Sequence, residues 1–172
     1  MAKEGNISND SDNMLGHFAS ILVPILLILT VATSEDDFDS YKVHCILSNS
    51  DDQALIDPCY AALFSPSSFN AKSTVIYSQD LFCTDTLVKS KYRGIVMINR
   101  GGCSFEDKAR IAFKLGFEAL VVINNNATAF PMGASSNTFQ SSIPVVMVGN
   151  NTIELYQNRN VIFTFSMAHK RK

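Results

Sequence analysis

"GIVMINRGGCSFEDKARIAFKLGFEALVVINNN" (residues 94–126), followed by "FPMGAS" (130–135) and "IPVVMVG" (143–149), decides how this chain folds. Gly94–Asn99 is a continuous apolar run of strand length with β-branched residues, as expected of a strand buried on both faces. Arg100-Gly101-Gly102 makes a tight turn. Ser104 stands three residues before Asp107, a capping-box-like spacing that satisfies exposed amides at a helix start. Phe105, Ala109, Ala112 and Phe113 follow at helical spacing and predict one apolar stripe. Gly116 ends the helix, where a left-handed residue costs little. Ala119–Asn124 reads as the next buried strand. One short helix between two strands predicts a parallel pair with a right-handed crossover.

Downstream, Asn125–Ser142 is polar and long for a connection, which marks it as a contact surface. Phe130, Pro131, Met132 and Phe139 lie in it, and two readings stay open. They form a partner-binding edge, or they fold back over the core. Ile143–Gly149 reads as a third strand, with Pro144 near its start, where a missing amide donor is tolerated. Thr152–Gln157 suits one or two helical turns, and Val161–Met167 alternates as a final strand. Upstream, Tyr41–Leu47 reads as the first strand and Ser73–Ser78 as a short second one. Between them Ser48–Lys72, rich in Ser, Asp, Asn and Pro, reads as a long loop, and the "LFC" run ending at Cys83 is expected to tuck under the core. The resulting fold class is α/β, with several strands and few helices. The expected divisions are a tail and leader (1–34), a strand and long loop (35–72), a core (73–168) and a basic tail (169–172).

With 47% hydrophobic and 17% charged residues in 172, the chain can build a proper core. A net charge of -2 gives no electrostatic case for nucleic acid. Phe18–Thr33 has a dense apolar centre from Ile21 to Leu29, and a spanning helix needs roughly 20 apolar residues. It therefore reads as a signal-peptide core, with cleavage after Ser34. The polar stretch Met1–Asn13 is long for the head of such a leader. Translation from Met14, or a cytosolic tail before an uncleaved signal anchor, accounts for it. Both readings put the rest of the chain in the lumen or outside the cell.

All four cysteines follow the leader, as disulfides in an oxidising compartment do. No Cys-x-x-Cys occurs, so zinc and thioredoxin-like chemistry are poorly supported. Three pairings are open; Cys45–Cys59 with Cys83–Cys103 is favoured. Asn126-Ala-Thr and Asn150-Asn-Thr are glycosylation sequons in expected loops, whereas those at Asn6 and Asn9 precede the apolar run.

Chemistry finds few candidates. Cys103, at a helix start beside Arg100, has the setting of an activated thiol, but an oxidised structural cysteine suits the compartment better. Arg100-Gly101-Gly102 could cradle an anion, yet it lacks a G-x-G-x-x-G or P-loop pattern, and a plain turn is favoured. His17, His44 and His169 have no second ligand at metal spacing. Asp36-Asp37 and Asp51-Asp52 lack the alternating order of a calcium loop. No G-x-S-x-G is present. The expectation is no enzyme, no metal and no cofactor.

The strand into "RGGCSF", Lys108, the helix ending in "KLG", "ALVVINN" and the "IP" strand together resemble the protease-associated (PA) domain. That resemblance implies a compact α/β domain of β-sandwich or open-barrel character that acts as a lid, exosite or cargo-binding module. PA domains of this kind occur in transmembrane RING ubiquitin ligases, plant vacuolar sorting receptors, subtilisin-like proteases and aminopeptidases. "HCILSNS", "LFC", "CSFEDKARIA" and "FPMGASSNTF" further resemble the luminal N-terminal region of signal peptide peptidase-like intramembrane aspartyl proteases. Their catalytic Tyr-Asp and Gly-x-Gly-Asp motifs do not occur here. Cys59 is extra to that pattern, which leaves the partner of Cys45 open. The implied role is secretory-pathway binding of a protein partner or peptide substrate. The membrane enters only through an uncleaved anchor or a missing C-terminal part.

Overall fold

The computed structural model describes residues 36–48, 53–79, 83–84, 92–156 and 161–167. Its elements run α1 (Asp36–Asp39), β1 (His44–Ser48), β2 (Gln53–Ile56), β3 (Cys59–Ala61), β4 (Phe69–Ser78), β5 (Ile95–Asn99), α2 (Phe105–Leu115), β6 (Ala119–Ile123), β7 (Val145–Val148), α3 (Thr152–Tyr156) and β8 (Ile162–Met167). Apart from Asp36, they belong to one compact unit, Asp37–Lys172. The expected leader, its cleavage point after Ser34, His17, Asp51-Asp52, and the basic tail with His169 lie outside the described residues.

The strands form one sheet in the order β2-β1-β8-β4-β5-β6-β7-β3. β4 joins its two halves. Phe69–Thr74 pair antiparallel with β8, and Val75–Ser78 pair parallel with β5. β5, β6 and β7 are mutually parallel, as a βαβ unit requires. At the far edge β3 does not stay open. Val43 N donates to Cys59 O (3.0 Å) and Ala61 N to Tyr41 O (2.8 Å), around a bridge between Lys42 and Tyr60. The sheet thus curls until β3 meets the residues leading into β1, and β2 overhangs the seam. This is an open barrel with few helices.

Period-2 alternation divides the core. Ile95, Met97, Ala119, Val121, Ile123, Val146 and Val148 join Phe163 and Phe165 in the barrel interior. Their neighbours Val96, Ile98, Leu120, Val122, Val145 and Met147 pack outward against Ala109 and Ala112 of α2 and against Met132. That is why the three central strands read as unbroken apolar runs.

Two sequence expectations need correction. Ser48–Lys72 is no structureless loop, since it holds β2, β3 and the start of β4. β2 and β3 have only four and three residues, and pairing with β1 and β7 holds them in place. β4 is a continuous ten-residue strand. Phe113 is the other correction. It does not join the buried stripe of α2 but is 53% exposed.

Candidate recognition surface

The surface begins at the turn after β5. Gly101 (φ 124°) and Gly102 (φ 76°) adopt left-handed angles that side chains disfavour. The Cys103 amide donates to Gly101 O (2.9 Å), so it closes the turn instead of pointing at an anion. Ser104 caps α2 by accepting from Asp107 N (3.1 Å), and its hydroxyl donates to the Asp107 carboxylate (2.7 Å). Gly116, at φ 90°, closes the other end, its amide bonding the carbonyls of Ala112 and Phe113.

The loop after β6 is then fastened onto α2 at three places. Arg100 donates to Asn124 Oδ1 (2.9 Å) and lies over the rings of Phe130 (5.1 Å) and Phe105 (5.8 Å). Glu106, only 8% exposed, accepts from the Ser136 amide (3.2 Å) and pairs with Arg110 (2.6 Å). Arg110 in turn stacks on Phe139, 4.4 Å from its centroid, and Phe139 packs on Phe64. Of the four apolar loop residues singled out from sequence, Met132 is fully buried and Pro131 is buried. Phe130 and Phe139 are half-buried against the α2-side core. They fold back over the core.

Folding back leaves a cleft on each side of Phe139. One, of about 250 Å³, is lined by Leu63, Phe64, Ser136, Asn137, Phe139 and Gln140, among others. The other, of about 650 Å³, runs between α2 (Arg110, Phe113, Lys114) and the loop (Thr138, Gln140, Ser142). Leu63, at 44% exposed, and Phe113 supply bare apolar surface at their rims. The sequence reading placed Phe113 in the buried stripe of the helix and singled out neither Leu63 nor the buried Glu106 that anchors the loop. Spacing held a signal for Glu106 alone, which stands four residues before Arg110.

The remaining candidates fall elsewhere. Cys45 joins Cys59 and Cys83 joins Cys103, the pairing favoured from sequence, and no described cysteine is free. Asn126 and Asn150 are both exposed and adjacent, with Asn150 N donating to Asn126 O (2.9 Å). Thr128 donates its amide (3.1 Å) and hydroxyl (2.6 Å) to Asn126 Oδ1. His44 is an exposed residue of β1. Among the described residues no three His, Cys, Asp or Glu side chains gather at metal-binding distance. None of the described helices is long and apolar enough to cross a membrane. The two disulfides suit an extracellular or luminal environment.

This barrel with one flanking helix and a clamped loop belongs to a known class. The PA domain family matches residues 53–156, more than half the chain, and the chain is a member of that family. Among solved structures it is similar to a zinc aminopeptidase, BSAP, of Bacillus subtilis, at 17% identity and TM-score 0.57, covering 76% of this chain and 32% of that one. It is similar too to an aminopeptidase of Aneurinibacillus sp. strain AM-1, at 21% and 0.54, covering 74% and 31%. A third is the psychrophilic subtilisin-like protease Apa1 of Pseudoalteromonas sp. AS-11, at 12% and 0.52, covering 77% and 34%. At such identities the likeness shows the fold alone, and this chain spans about a third of the length of each. No curated protein matches the sequence.

Proposed function

We propose that this chain is a non-catalytic PA-domain protein of the secretory pathway that recognises a protein partner or peptide substrate at the clefts beside Phe139. One observation carries the reading: the exposed residues Phe113 and Leu63 line clefts whose walls mix the rings of Phe64 and Phe139 and the cations of Arg110 and Lys114 with hydroxyls and amides. Such a surface suits an extended peptide that inserts an apolar side chain and bonds along its backbone. The absence of catalysis is supported by the state of the best nucleophile, Cys103, which is tied to Cys83. Glycans on Asn126 and Asn150 belong to the same reading.

A photo-crosslinking residue placed at position 113 of the secreted chain tests this. An adduct with one defined protein, lacking when the probe stands at exposed Glu118, is expected. Equal labelling from both positions contradicts the assignment.

The flanks favour a second reading. "CSFEDKARIA" and "FPMGASSNTF" point to the luminal portion of a signal peptide peptidase-like intramembrane aspartyl protease, in which the same surface meets substrate. Transcripts that continue past Lys172 into apolar spans with Tyr-Asp and Gly-x-Gly-Asp motifs establish this reading. A stop codon there in every transcript removes it.

A further inference from the structure

The two disulfides sit in different surroundings. Cys45 and Cys59 are both 0% exposed, inside the barrel core. Cys83 and Cys103 are each partly exposed, within reach of a reductant. Beside them lies Lys108, also 0% exposed, a degree of burial that lysine almost never shows unless paired. Its Nζ is directed at Cys83 Sγ, 3.8 Å away. The first turn of α2 fixes that position, since Lys108 N donates to Ser104 O at 3.2 Å. An N–H of a lysine stabilises a thiolate far more than the neutral sulfur of a disulfide. The contact therefore favours the reduced pair over the oxidised one.

We propose that Cys83–Cys103 is a thiol-exchange site, reduced ahead of Cys45–Cys59 by thiol reductants, with Lys108 holding the Cys83 thiolate that is released. A reductant thiolate attacks Cys103 Sγ and forms a mixed disulfide with it. The Cys83–Cys103 bond breaks and its electron pair leaves on the Cys83 sulfur. Attack falls on Cys103 because the better-stabilised thiolate leaves faster. A second reductant thiol then displaces Cys103. Two electrons have moved, the protein ends as a dithiol and the reductant as a disulfide. Exchange unties Cys83 from the start of α2 and leaves the disulfide of the barrel interior in place.

The test equilibrates the full chain, with both disulfides formed, against glutathione buffers of graded ratio. Alkylation and mass spectrometry then read each cysteine. Cys83–Cys103 is expected to be half-reduced where Cys45–Cys59 remains oxidised, their equilibrium constants differing by about tenfold or more. Limiting glutathione is expected to leave its adduct on Cys103. Lys108→Met is expected to move the Cys83–Cys103 midpoint about tenfold toward more reducing buffer, without moving the other pair. Joint reduction, earlier loss of Cys45–Cys59, or an adduct on Cys83 overturns the proposal in the wild-type chain alone. An unmoved midpoint in folded Lys108→Met removes Lys108 from it.

Discussion

A Cβ built on Gly149 meets the Ala127 carbonyl oxygen and lies 2.7 Å from its carbon, both backbone atoms that cannot swing aside. Gly149 is therefore glycine for space, since β7 must pass close under the loop that carries the Asn126 sequon. Gly133, in the same loop, has nothing within 4 Å of such a Cβ. Gly149→Ala is expected to destabilise the domain by about 1–3 kcal/mol, the usual cost of overfilling a packed site. Gly133→Ala is expected to be neutral or to stabilise by up to ~1 kcal/mol, through a less flexible unfolded chain. Urea unfolding of the two variants in parallel checks both. Neither expectation could be formed from sequence, where the two glycines look alike.

At the scale of elements, α2 and the loop act as one piece, and Glu106 joins them. Its carboxylate accepts from Ser136 N and from Arg110, and Arg110 carries Phe139. Glu106→Ala is expected to cost about 1–3 kcal/mol, because the part-buried bond to the Ser136 amide and the charge-assisted pair with Arg110 are both lost. It should also speed hydrogen exchange at Ser136. Glu118→Ala, at an exposed site, should stay within ±0.5 kcal/mol. The β5–α2–β6 unit was legible in the sequence because its signals are local: apolar runs of strand length, a serine cap, a glycine stop. β2 and β3 were not legible. Their three or four residues are too few for periodicity to mark, and they exist through hydrogen bonds to β1 and β7. Phe113 misled for a related reason. Helical spacing assigns a face, and only the path of the loop decides how far that face is covered.

For the whole molecule, barrel closure depends on the residues that lead into β1 meeting β3, with Cys45–Cys59 close to that seam. The two cysteines are 14 residues apart, and a loop of that size contributes about 3 kcal/mol in the chain-entropy model. Replacing both by alanine is expected to cost about that much, read as a lower denaturation midpoint. The two disulfides suit an extracellular or luminal environment, whereas the apolar run from Ile21 to Leu29, from which a leader was expected, lies outside the described residues. The proposed recognition surface was legible only as a long polar loop. Its clefts arise from how Phe139, Arg110 and Glu106 pack, which no spacing encodes.

The central claim is that this PA domain works by recognition at the Phe139 clefts. It is tested most directly by comparing capture of the partner crosslinked from position 113 by the wild-type chain and by Phe113→Asp, at matched secretion and matched thermal stability. A loss of capture of about tenfold or more, of the order of one buried aromatic contact, is the expected result. Undiminished capture by Phe113→Asp contradicts the account.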